Sequence, residues 1–275
     1  MNQMNNIFLD NTKRHILSLS GGKDSTALAI FLKGKIEKIE YVFCDTKKEL
    51  PETYEYLDKL EVLLEKKIER LVFDGGDFDD LLEYRNGFLP SAQVRWCTEQ
   101  LKIKPFEKYI GDDYCYSYIG IRADERNRTG YISTKKNIIP VYPFIEYGIN
   151  KSDVMKLLDE SGIGLPEYYS WRSRSGCYFC FFQQKIEWVG LKENHPDLFE
   201  KAKKYEKTNS SNGERYTWSM NESLDELENP ERVKNIKKEY EERTKLLGNN
   251  GNNLLLRNIF NQENENDEGC LICHL

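Results

Sequence analysis

The stretch "ILSLSGGKDSTALAIFL", residues 16–32, decides how the chain is built. Ile16, Leu17 and Leu19 read as the end of a short buried strand. From Thr26 onward, Ala27, Leu28, Ile30, Phe31 and Leu32 are dense enough for a buried helix. Ser20, Gly21, Gly22, Lys23, Asp24 and Ser25 make the turn between them. Paired glycines let a ligand approach the main chain closely. The first N–H groups of the following helix point at whatever occupies the loop, and the helix dipole favours an anion there. Two serine hydroxyls and the Lys23 ammonium add donors, so the segment reads as a phosphate cradle. A serine-capped strand-to-helix turn is the plainer account, but six consecutive residues of this kind favour the cradle. It is not a Walker loop, because G-x-x-x-x-G-K-[ST] is absent.

Composition sets the frame for that cradle. The chain has 275 residues, 39% hydrophobic and 31% charged, which suits one globular α/β domain with an appendage. No apolar run approaches a membrane span and the first residues are too polar for a signal peptide, so a cytoplasmic protein without membrane partners is expected. In a reducing compartment the seven cysteines point to metal or redox chemistry rather than disulfides. A formal charge of -6 argues against coating nucleic acid by bulk electrostatics. Local arginine clusters (Arg122, Arg126 and Arg128; Arg172 and Arg174) still suit an anionic substrate.

Along the chain, "IEYVFCDT" is a second strand ending in Asp45 and Thr46, a carboxylate and a hydroxyl at the carboxyl edge of a sheet. "LPETYEYLDKLEVLLEKK" opens a helix with proline and carries helical apolar spacing. "IERLVFD" and "YCYSYIGIRADE" hold further strands. Strands alternating with helices predict an α/β fold with an open, mostly parallel sheet flanked by helices. From about Tyr168 strand patterns give way to charged helical stretches. The expected division is a nucleotide-binding domain over residues 1–167 and a helical, cysteine-containing region over 168–275.

Several segments, in order, resemble one family. SGGKDS is similar to the pyrophosphate (PP) loop of the adenine nucleotide alpha-hydrolase superfamily, which includes ATP pyrophosphatases, tRNA thiolation enzymes and phosphoadenosine phosphosulfate (PAPS) reductases. "FCDTKKELPETYEYL" resembles the DTxxxFPET segment of the PAPS reductase branch, with Leu50 in place of phenylalanine. "VRWCTEQLKIKPFEKYI" resembles its R-x-C-x-x-x-x-K-x-x-P block through Arg95, Cys97, Lys102 and Pro105. "IGIRADERNR" resembles a GxRxxE segment, and "SRSGCYFC" the closing R-x-G-C-x-x-C. The resemblance implies ATP held by Ser20, Gly21, Gly22, Lys23, Asp24, Ser25, Asp45, Thr46, Arg122 and Arg128. Magnesium would sit near Asp45 or Asp24. Lys23, Asp24, Arg122 and Cys97 are the implied catalytic residues.

Two CxxC pairs, Cys177/Cys180 and Cys270/Cys273, make a four-thiolate site the leading metal reading. Zinc and an iron–sulfur cluster both accept four thiolates. The resemblance offers another set, Cys97 with Cys177 and Cys180 around a cluster, or Cys97 as a free thiol that carries sulfur. Reductases of the branch have adjacent cysteines where this chain has Trp96-Cys97. An intact loop suits a whole ATP polyphosphate. The expected activity is therefore an ATP pyrophosphatase that adenylates an acceptor for sulfur transfer, similar to DNA phosphorothioation sulfur-transfer proteins. A sulfur donor such as a cysteine desulfurase, and DNA reached through partner proteins, follow from that resemblance. Two alternatives stand beside it: a thiol-dependent PAPS or adenylylsulfate reductase, and a non-catalytic nucleotide-binding subunit of a phage-defence complex.

Overall fold

Ile16 and Leu17, neighbours in one strand, face opposite layers of core, and the architecture follows from that alternation. Ile16 packs with Val42, Cys44, Phe106, Ile110, Cys115 and Ile138. Leu17 packs with Ala27, Leu28, Tyr41, Phe43, Leu57, Leu60 and Leu158. Both faces of the sheet are covered, which is why its strands read as unbroken apolar runs. The computed structural model describes residues 2–125, 128, 133–208, 215–219 and 222–247.

The sheet contains β1 (Arg14–Ser18), β2 (Ile39–Cys44), β3 (Ile68–Leu71), β4 (Cys115–Tyr118) and β5 (Ile138–Val141), in the order β3-β2-β1-β4-β5. Every neighbouring pair is parallel, with Leu17 opposite Tyr41 on one side and Tyr118 on the other. Strand order reverses between β1 and β4. At such a switch point the loops leaving the carboxyl ends diverge and open a crevice.

Short α1 (Asn2–Phe8) precedes β1, and α2 (Lys23–Leu32) and α3 (Pro51–Leu64) follow β1 and β2. Proline in the first turn starts α3, and Glu65 in the left-handed region ends it. After β3 come α4 (Phe78–Tyr84), α5 (Trp96–Thr98), a π-helical turn (Glu99–Ile103) and α6 (Lys104–Ile110), the last covering the Ile16 face. Two short helices precede the cysteine turn: α7 (Pro143–Glu146) and α8 (Lys151–Glu160), which packs on α2. The side chains of Asn150 and Asp153 form a reciprocal cap at the start of α8.

Beyond them lie α9 (Lys185–Asn194), α10 (Pro196–Lys203), a small antiparallel ribbon of β6 (Lys207–Thr208) and β7 (Arg215–Tyr216), α11 (Leu224–Leu227) and α12 (Pro230–Leu247). A third, aromatic-rich core joins this region to the residues after β2. It brings Tyr168, Trp171, Phe179, Trp188 and Trp218 against Leu50, Phe78, Trp96 and Leu101. The C-terminal helices are thus built onto the crevice side of the chain through shared core.

Two elements were not visible in the sequence pattern. β5 is short, carries Pro140 and lies at the sheet edge, where a missing N–H is tolerated. The β6–β7 ribbon is only two residues long on each side, too short for an alternation to register.

Candidate functional site

The loop after β1 behaves as its residues require. Gly22 is the cap position of α2 and has no side chain to satisfy the helix's first N–H groups. Gly21 and Gly22 are needed for different reasons. Gly21 has φ +71°, and a Cβ there would also lie 2.7 Å from Thr53 Cγ2. Gly22 has an ordinary φ of -91°, but its Cβ would meet Ser175 Oγ at 2.8 Å and the Tyr169 hydroxyl at 3.3 Å. One glycine supplies conformation and the other supplies room.

Hydroxyls knit the loop. Ser20 N–H donates to Ser25 Oγ at 3.2 Å, and Ser25 Oγ donates to Gly22 O at 3.1 Å. Ser175 Oγ donates to Ser20 Oγ at 3.2 Å. From the 3-10 turn Glu167–Ser170, Tyr168 donates its hydroxyl to Gly21 O at 2.8 Å. Next to it, the Tyr169 hydroxyl accepts from Lys23 N–H at 3.1 Å.

Charge is concentrated in a buried triangle. Arg122 Nη1 donates to Asp24 Oδ1 at 2.9 Å and Arg122 Nε to Asp124 Oδ1 at 3.0 Å. Lys23 Nζ lies 3.7 Å from Asp24 Oδ2 and 5.4 Å from the Tyr169 ring centre. Burial lowers the Lys23 pKa from its usual range, with Asp24 opposing that shift and Arg122 adding to it. Burial also works against the Arg122 charge, but Asp24 and Glu125 outweigh it and raise its pKa. Arg128, from the same arginine cluster, donates to Glu125 Oε1 at 2.6 Å. Arg126 lies outside the described residues.

Asp45, directly after β2, is fully engaged. Its Oδ1 accepts from Lys47 N–H and the Tyr54 hydroxyl, both at 2.8 Å, and its Oδ2 from Lys47 Nζ at 2.7 Å. The start of α3 connects it to the loop, since Thr53 borders Gly21 while Tyr54 holds Asp45. With Asp24 and Asp45 both committed to protein donors, this arrangement offers magnesium no ready ligand.

Thr46 leads to the cysteines. Its hydroxyl donates to Glu49 Oε1 at 2.9 Å and lies 3.2 Å from Cys177 Sγ. Cys177 Sγ is 3.8 Å from Glu49 Oε1, and Tyr178 N–H donates to Lys48 O at 2.8 Å. The first CxxC turn is therefore stitched to the loop after β2. Burial and the neighbouring Glu49 carboxylate push the Cys177 thiol well above its usual pKa, while Lys102 on the π-helical turn pulls the other way. Buried Arg172 fixes the turn, donating to Gly176 O at 3.0 Å and Cys177 O at 2.8 Å. Cys97 sits on α5, half-buried beside the aromatic core that also touches Cys177. Among the described residues no group of three or more His, Cys, Asp or Glu side chains is arranged to hold a metal ion. Cys270 and Cys273 lie outside the described residues. Cys44 and Cys115 are core residues, as their strand positions imply, and burial pushes the Cys44 thiol up to about 12.

Tyr168, Tyr169, Ser175 and Glu49 have no motif signature in the sequence. Their roles depend on a 3-10 turn and a cysteine turn reaching back across the whole chain to the loops after β1 and β2.

The phosphoadenosine phosphosulfate reductase domain model matches residues 14–182, which spans the sheet, the loop and the first CxxC. The chain belongs to that family. Its curated relatives include two uncharacterised proteins of Methanocaldococcus jannaschii. One is 26% identical over 67% of this chain and 45% of its own length, the other 30% identical over 70% and 42%. This chain spans under half the length of both archaeal family members. An uncharacterised nin region protein of Escherichia phage lambda is 28% identical over 64% of this chain and 68% of its own. Among solved structures, partial likenesses occur to the phosphate complex of PAPS reductase from Candida auris (13% identity, TM-score 0.46, 60% of this chain and 87% of that one). Another is the U34-tRNA thiolase NcsA from Methanococcus maripaludis with its 4Fe-4S cluster (13%, TM-score 0.38, 74% and 77%). No helix among the described residues is long and apolar enough to cross a membrane.

Proposed function

We propose that this family member binds ATP on the Ser20–Ser25 loop and activates an acceptor oxygen by adenylation, for later displacement by sulfur. The observation that carries the reading is the N-terminus of α2 at the sheet's switch point, where the cap residue Gly22 has no side chain of its own, joined to Arg122 through Asp24. Backbone N–H groups, the Lys23 ammonium and the Arg122 fork suit a polyphosphate. In the reaction, the acceptor oxygen attacks the α-phosphorus, the bridge to the β-phosphate breaks, and pyrophosphate leaves with that electron pair. A sulfur nucleophile then displaces AMP from the acceptor. Cys97, loaded with a persulfide by a cysteine desulfurase, is the candidate nucleophile, and its outer sulfur bonds to the acceptor as AMP leaves. An external thiol then attacks the Cys97 sulfur, freeing the thiolated acceptor and leaving a mixed disulfide that a second thiol reduces. DNA reached through partner proteins is the candidate acceptor.

Incubation with labelled ATP in the presence of DNA and sulfide and, separately, with labelled PAPS and a dithiol tests this. Pyrophosphate and AMP from ATP support the proposal. Sulfite from PAPS would replace it with a reductase, and ATP binding without turnover would replace it with a nucleotide-binding subunit.

A further inference from the structure

Helix α2 does have a cap, and it comes from 146 residues away. The Lys23 N–H that a phosphoryl oxygen would use is occupied by the Tyr169 hydroxyl at 3.1 Å. Ser175 Oγ and the same hydroxyl fill the space above Gly22. Tyr168 holds the other side of the loop through Gly21 O at 2.8 Å. Burial raises the Tyr169 pKa, so its phenol stays neutral and is a weaker partner for an N–H than an anionic oxygen is. The segment that carries these side chains continues directly into Cys177, whose sulfur rests against Thr46 and Glu49.

We propose that Tyr169 is a positioning residue of the phosphate site, a stand-in ligand that yields the Lys23 N–H to a phosphoryl oxygen and carries that exchange along residues 168–178 to the cysteine turn. The inference rests on the ATP-site reading above and adds a sequence of events to it. Phosphate enters, Tyr169 withdraws with Ser175, and the backbone that positions Cys177 relaxes. A thiol held against Glu49 before nucleotide binding is thereby released only afterwards.

The test titrates inorganic pyrophosphate into the whole chain by calorimetry, for the wild type and for Tyr169→Phe. Removing the competing hydroxyl should tighten pyrophosphate binding roughly five- to tenfold, the worth of one neutral hydrogen bond. Ser175→Ala should act in the same direction more weakly, and it carries the test if Tyr169→Phe does not fold. Hydrogen-exchange mass spectrometry supplies a second readout. Pyrophosphate should slow exchange at residues 20–25 and speed it at 168–178 in the wild type, while Tyr169→Phe shows the faster exchange without ligand. Equal or weaker binding by the variants, or slower exchange at 168–178 with pyrophosphate, overturns the proposal and leaves the ATP site standing. If neither wild type nor variants bind pyrophosphate or ATP, the site reading falls together with it.

Discussion

Arg122 Nη1 lies 2.9 Å from Asp24 Oδ1, a contact that closes 98 residues of chain and ties the end of β4 to the first turn of α2. Both side chains are nearly inaccessible, at 8% and 10% exposure. A buried pair of this kind is a weak source of net stability, because desolvation offsets most of the attraction. Its value lies in what happens when one partner goes: the other is left with an unbalanced set of neighbours, Asp24 with Lys23 Nζ at 3.7 Å, or Arg122 with Asp124 and Glu125. The pair therefore locks the loop of residues 20–25 to the strand on the far side of the switch point and gives that loop a fixed position.

Arg122→Ala should destabilise the protein by less than the ~3–5 kcal/mol of a fully stranded buried charge, because Lys23 Nζ still lies 3.7 Å from Asp24 Oδ2. Replacing both partners, Asp24→Asn with Arg122→Met, should cost clearly less than the sum of the single changes. Urea unfolding of Arg122→Ala, Asp24→Asn, Arg122→Met and the double variant measures this. Strict additivity would mean that the two groups do not act as a unit.

Gly21 and Thr53 make a second separable case. Alanine at Gly21 meets both a positive φ and Thr53 Cγ2 at 2.7 Å. Gly21→Ala should therefore cost more than the ~1–2 kcal/mol of a left-handed non-glycine residue alone. Adding Thr53→Ser, which removes the offending methyl, should recover the excess and leave the backbone part. Denaturation midpoints of the single and double variants read both components. No recovery would place the whole cost in the backbone.

The two kinds of contact differ in how they could be read from the sequence. Ile16, Leu17 and Leu19 announce β1, SGGKDS announces the turn, and Asp45-Thr46 mark the end of β2, because each signal is local and carried by neighbouring residues. Arg122 became a candidate through its family segment. The partners of these groups were not legible. Tyr168 and Tyr169 look like ordinary core aromatics, and only the folded chain brings their hydroxyls to Gly21 and Lys23. Glu49 reads as one charge in a run, "KKEL", yet its carboxylate is buried against Thr46 and Cys177. Long-range hydroxyl and carboxylate contacts leave no periodicity behind.

Glu49 also sets the reactivity of Cys177. The carboxylate and burial hold the thiol pKa above its ordinary value of 9.0. Glu49→Gln removes the negative charge, so the thiolate fraction should rise. Iodoacetamide labelling of Cys177 at about pH 8.5 should quicken roughly threefold as the thiolate fraction rises. Peptide mass spectrometry isolates this site from Cys115, whose thiol is held up by burial, Glu40 and Asp113 rather than by Glu49 and whose labelling should not change. The linked stability effect has a defined sign. Above pH 9.0 the unfolded thiol ionises while the folded one keeps its proton, so folding loses stability as pH rises from there. Cys177→Ala should flatten that alkaline loss, and an unchanged alkaline slope would count against a raised pKa at this residue.

Gly120 gives the sharpest test of how the phosphate loop is supported. It follows β4 by two residues, and a Cβ there would lie 3.2 Å from Asp24 O and 3.3 Å from Asp24 C. Those atoms are backbone of the first turn of α2, so they cannot swing aside as a side-chain tip would. Relief requires α2 to slide away from β4, which moves the N–H groups proposed to face a phosphate and stretches the Arg122–Asp24 contact. Gly120→Ala should thus weaken pyrophosphate affinity by about tenfold, with a stability loss of about 1–3 kcal/mol typical of overpacking. Gly111→Ala is the matched control. Its φ is +64° and nothing lies within 4 Å of the added Cβ, so it strains the backbone far from the loop. That variant should lose stability while binding pyrophosphate as the wild type does. Calorimetric titration of both, beside urea unfolding, separates a displaced loop from a generally weakened fold. Equal affinity losses in the two variants would show that close approach of β4 to α2 does not set the geometry of the phosphate site.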